Sequence, residues 1–190
     1  MREEVHRLVR DWDQYLHLPG ESYWKFDGVS DANKFFQHLP AIFPYGSTLF
    51  FEGLEIGERA TALFREHTAK YTRRVTCDGI SPTPDCYHVD FTEKFSDKLC
   101  LLIKSEGTAS AFYHFKGYST SEVVFTFHDA FDGELVVSHN LSESTAREFG
   151  HALGSNPQLT EFPVDLRQHF TAIDQAMNPP RWKKLLRFFL

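Results

Sequence analysis

A chain of 190 residues that is 42% hydrophobic and 15% aromatic, with Phe alone in 19 copies, can bury one sizeable core without disulfides or a structural metal. A formal net charge of -6 argues against general affinity for phosphate backbones, and 24% charged residues is an ordinary globular content rather than that of a disordered chain. Three cysteines, Cys77, Cys86 and Cys100, form no CxxC and no visible disulfide framework, and they read as free thiols. The stretch Met1 to His6 is charged, and no run approaches the roughly 20 apolar residues of a membrane span. The expectation is a soluble cytoplasmic protein, not an integral membrane protein and not a nucleic-acid binder.

In chain order, Val5, Leu8, Val9, Trp12, Tyr15 and Leu16 recur at helical spacing, and Pro19-Gly20 ends that helix. Tyr23 to Phe26 reads as a strand. The helix after it is capped by Ser30 or Asp31, buries Phe35, Phe36, Leu39, Ile42 and Phe43, and stops at Pro44-Tyr45-Gly46. Thr48 to Phe51 is apolar without alternation, as for a strand covered on both faces. Ile56, Ala60, Leu63, Phe64 and His67 mark the next helix. The crossover from Val29 to Ser47 is long enough to join parallel strands, which predicts a right-handed βαβ unit with Phe26 and Phe51 on neighbouring strands.

Lys70 to Asp85 reads as a long loop with a short strand near Arg74 to Cys77. Tyr87 to Phe91 is a strand, and Thr92 caps a helix that buries Phe95, Leu99, Leu102 and Ile103 and closes at Gly107. Strands follow at Ala109 to Lys116, Glu122 to Phe127 and Leu135 to Ser138, the last two joined by a hairpin at Asp132-Gly133. A two-residue turn there places Phe127 on the Val136 face. A longer loop aligns Phe127 with Leu135 and Val137 and makes His128, Asp129 and Asp132 project together. Ser142 caps a helix using Ala146, Phe149 and Leu153 and ending at Gly154, and Pro163 starts another that buries Leu166, Phe170, Ile173 and Met177.

Three groups of residues carry chemistry. Asp27 and Glu52 each follow a strand and precede a helix, where two carboxylates could hold a divalent cation; an acid followed by Gly is also an ordinary strand-to-helix turn. His128, Asp129 and Asp132 at the hairpin tip, with His114 and His139 on flanking strands, offer imidazole and carboxylate to a metal such as zinc, though no spacing matches HExxH or a cysteine-based site. The tail interleaves Trp182, Lys183, Lys184, Arg187 and Phe188, a pattern suited to docking on a partner, an anionic surface or its own domain. GxSxG, a P-loop and GxGxxG are absent.

The fold expected is a single α+β domain over residues 1–178, with a basic-aromatic tail at 179–190. Its mixed sheet of five or six strands opens with the parallel βαβ unit and ends in an antiparallel meander, with helices mainly on one face. Two functions fit. The first is a non-catalytic binding or protein-interaction domain, monomeric or homodimeric and without a cofactor, of which an immunity-like or regulatory role is one form by analogy. The second is a metal-dependent hydrolase or phosphoryl-transfer enzyme using the clustered Asp, Glu and His side chains. The first predicts that Asp27, Glu52, His128 and Asp129 lie scattered, and the second requires at least three of these four to converge within coordination reach.

Overall fold

The computed structural model describes residues 15–77 and 84–161. Its strands are β1 (Tyr15–Leu16), β2 (Ser22–Phe26), β3 (Thr48–Gly53), β4 (Arg74–Val75), β5 (Asp85–Asp90), β6 (His114–Tyr118), β7 (Val123–His128), β8 (Glu134–Ser138) and β9 (Gln158–Glu161). Its helices are α1 (Ala32–His38), continued by a 3-10 turn at Leu39–Ala41, α2 (Glu58–Glu66), α3 (Glu93–Glu106) and α4 (Glu143–Leu153). Leu16 to Glu161 form one compact unit. The first-helix residues Val5, Leu8, Val9 and Trp12, the expected boundary at residue 178, the Pro163 helix and the tail residues Trp182, Lys183, Lys184, Arg187 and Phe188 lie outside the described residues.

The class is α+β, and local chemistry explains the elements. The Asp31 side chain accepts the Lys34 amide, Thr92 accepts that of Phe95, and Ser142 accepts that of Thr145, so the starts of α1, α3 and α4 each give a partner to an otherwise orphaned N–H. Gly154 ends α4 in the left-handed conformation. Tyr15 and Leu16, assigned from their spacing to the first helix, form a strand instead. Leu16 packs against Phe50, Val75, Tyr118 and Val123, and that burial overrides the helical spacing.

Seven strands form one sheet in the order β5-β3-β6-β7-β8-β2-β9, and every neighbouring pair in it is antiparallel. This corrects the expected parallel unit. β2 and β3 do run the same way and α1 does cross between them, but β6, β7 and β8 lie in between. A crossover of sufficient length permits adjacency without enforcing it. The strands that take the central places carry Phe115, Phe125 and Phe127, all fully buried. The strand count also exceeds the expected five or six, because β9 is mostly polar and exposed and carries no apolar alternation.

One hydrophobic cluster joins the inward residues of the sheet to all four described helices. Phe35 of α1 is its centre, with ring centroids 5.3–6.1 Å from Phe36, Phe115, Phe125, Phe127, Phe131 and Phe149. Such pairs add about 0.5–1.5 kcal/mol each beyond area burial. Gly117 faces this cluster because a Cβ there would stand 2.1 Å from Phe125 Cε1. On the opposite face, Phe50, Tyr118 and Val123 are covered by Val75 with Leu16 and Leu18, so β3 is buried on both sides as its unbroken apolar run implies. No described helix is long and apolar enough to cross a membrane.

Candidate metal centre

The β7–β8 connection decides the site. Phe127 pairs with Leu135 and His128 with Glu134, so the hairpin closes through the loop 129–133 rather than a two-residue turn at Asp132-Gly133. This is the register that puts three large apolar residues, Phe127, Leu135 and Val137, on the helical side. The loop is drawn tight by the Asp132 and Gly133 amides, which both donate to the Asp129 carbonyl, and by the Ala130 amide, which donates to the Tyr113 carbonyl at 2.7 Å. A Cβ at Gly133 would meet the His128 carbonyl at 2.3 Å.

Two loop residues take positive φ, Asp129 at +44° and Phe131 at +72°. Asp tolerates this region, whereas a bulky Phe there is strained by about 1–3 kcal/mol. Burial holds it: the Phe131 ring is 7% exposed and sits among Phe35, Phe36, Phe112, Phe115 and Phe127. The aromatic core thus fixes the loop that presents Asp129.

His114, His128 and Asp129 converge on the face away from the helices, with one ligand atom from each within 4.8 Å of the others. Inward-facing Phe115 and Phe127 force their strand neighbours His114 and His128 to that face. The two imidazoles stack at 4.2 Å between centroids with planes 5° apart. The Asp129 amide donates to His114 Nδ1 at 2.9 Å, so that nitrogen is an acceptor. The Asp129 carboxylate lies 3.6 Å from His114 Nδ1 and 3.5 Å from His128 Nε2. His128 and Asp129 are well exposed, while His114 is largely covered.

The remaining expected residues are placed elsewhere. Asp27 and Glu52 are separated by three strands, or roughly 19 Å at 4.7–4.9 Å per strand, and cannot share an ion. Asp27 instead pairs with Lys25, which also reaches Glu134; the Glu134 hydrogen bond, ahead of Asp27, makes Lys25 hold its proton more tightly. Glu52 lies opposite His114 but is fully buried, with Lys116 Nζ 3.8 Å from its Oε1. Asp132 is exposed and gives the loop its amide, and it is not among the three converging donors. His139 Nδ1 donates to the Pro19 carbonyl at 2.9 Å, away from the cluster.

Lys116 was not singled out from the sequence. The lysine also donates to the Thr76 carbonyl, so the chain just after β4 closes over the Glu52–Lys116 pair. Its signal was available, since a lysine between Phe115 and Gly117 in a strand must face opposite the phenylalanine.

Chemically, two imidazoles and a carboxylate suit zinc, copper, nickel or iron(II) better than magnesium or calcium. The present ring arrangement is not a closed coordination sphere. Imidazole lone pairs lie in the ring planes, and parallel planes cannot both aim at one ion about 2.0–2.1 Å from each nitrogen. Exposed His128 can rotate. His114 must release the Asp129 amide, because a neutral imidazole has one lone pair to give. Comparison with protein-family models, characterised proteins and solved structures finds no match.

Proposed function

We propose that this chain is a binding domain that takes a divalent transition-metal ion at His114, His128 and Asp129. The observation that carries the reading is the convergence of three donors from β6, β7 and the loop after β7. Binding, rather than catalysis, is favoured by the exposure of two of the three donors, His128 at 55% and Asp129 at 60%, which leaves water free access to the ion. Because the Asp129 amide must give up His114 Nδ1, occupancy changes the loop 129–133. The ion then reports its presence through the hairpin tip.

A metal-assisted hydrolase or phosphoryl-transfer enzyme is the second reading. Three protein ligands leave coordination positions for water, which bound zinc would make more acidic.

The test is a melting series with zinc, nickel, copper, magnesium and calcium on the full chain and on His128→Ala. An ion at about 100 times its Kd stabilises by about 2.7 kcal/mol, or roughly 5–10 °C in Tm. The expected result is a shift with the first three ions that His128→Ala abolishes, and none with magnesium or calcium. No shift, or one that His128→Ala leaves intact, removes the proposal. Turnover of an activated phosphate ester by the zinc-loaded chain, lost in the variant, would favour the second reading.

A further inference from the structure

We propose that Cys77 and Cys86 are a redox-active dithiol, which a small-molecule disulfide converts to an intramolecular bond clasping the chain after β4 to the edge of the sheet. The two Sγ atoms lie 3.7 Å apart in hydrogen-bond contact, and both residues are exposed. A disulfide needs about 2.05 Å, so closure asks for a movement of less than ~2 Å at two surface side chains. Cys86 stands on β5, the first strand in the sheet order, opposite Glu52. Cys77 follows Thr76, whose carbonyl receives the Lys116 ammonium. The bond would therefore tie down the segment that covers the Glu52–Lys116 pair, and Glu52 is in turn the cross-strand neighbour of His114.

The step balances as an exchange. The hydrogen bond with Cys77 pushes the Cys86 thiol up, and Cys77 opens the exchange. The Cys77 thiolate attacks one sulfur of the reagent and releases the first small thiolate. Cys86 then loses its proton to water and attacks the Cys77 sulfur of the mixed disulfide, releasing the second. The protein gives up two electrons and two protons, and the reagent disulfide is reduced to two thiols. Cys100 takes no part, because it lies on α3 against the helical core.

The experiment equilibrates the full chain with excess oxidised glutathione, alkylates the remaining thiols and maps the peptides. The expected product links Cys77 to Cys86 and leaves Cys100 alkylated, with Cys100→Ser behaving as the parent. Cys77→Ser and Cys86→Ser each give only a glutathione adduct on the remaining partner. The oxidised parent melts about 5–10 °C higher than the reduced one. Separate glutathione adducts on Cys77 and Cys86 in the parent, alkylation of both, a bond that includes Cys100, or an unchanged melting point would overturn the clasp. None of these outcomes bears on metal binding, which rests on other side chains.

Discussion

Lys116→Met removes the cation beside a carboxylate that is fully buried. Glu52 is 0% exposed, Lys116 is 4% exposed, and their charged atoms lie 3.8 Å apart. At an effective dielectric near 20, that separation gives an attraction of about 4 kcal/mol. Breaking one side of a buried pair typically costs about 3–5 kcal/mol, which agrees. Methionine fills much of the lysine stem, so the loss is one of charge rather than volume. Urea unfolding near pH 7 should therefore show a midpoint lowered by about 3–5 kcal/mol of stability at unchanged m-value. A buried acid that loses a neighbouring cation is pushed toward the neutral form, so the deficit should shrink as pH falls toward the ordinary carboxylate value near 4.3. Adding Glu52→Gln should restore much of the loss. A deficit below about 1 kcal/mol, as for an exposed ion pair, or one that Glu52→Gln leaves unchanged, would refute the reasoning.

Other predictions come from particular contacts. At φ +72°, Phe131→Gly should be at least as stable as Phe131→Ala although it removes more side chain, because glycine relieves about 1 kcal/mol of strain; both should lie about 3–5 kcal/mol below the parent in chemical unfolding. Gly117→Ala should cost about 1–3 kcal/mol, since its Cβ would stand 2.1 Å from the buried Phe125 ring, and a Tm within a degree of the parent would contradict that packing. Burial pushes His88 below its usual value, and its Nδ1 shares a 2.7 Å hydrogen bond with the Tyr118 hydroxyl. A base protonated less readily when folded stabilises the protein above the unfolded value near 6.5 and loses that contribution as pH falls below it. His88→Gln should flatten the acid limb of stability against pH.

Among the described residues, the helices after Leu16 were legible because their signals are local. Asp31, Thr92 and Ser142 sit where a cap must, and the apolar stripes repeat with the helical period. Strand order was not legible, because alternation says which face a residue takes but not which strand lies beside it. That is why Phe26 and Phe51 looked like neighbours. The hairpin register was open between two solutions, and the apolar match of Phe127 to Leu135 selects one of them. Neither the positive φ of Phe131 nor the approach of Cys77 to Cys86 has a sequence signal, since tertiary packing imposes both. His114 was marked through its neighbourhood, but its strand was expected to begin at Ala109. The residues from Thr108 fold instead into a turn, in which the Ala111 and Phe112 amides donate to the Thr108 carbonyl.

The identity of the metal ligands can be measured directly by nitrogen-resolved NMR of the imidazoles during a zinc titration. Among 10 histidines, the ring nitrogens of His114 and His128 should shift together and saturate at one ion per chain, with the Asp129 amide moving as it leaves His114 Nδ1. Shifts confined to other histidines, or none at stoichiometric zinc, would contradict the proposed centre.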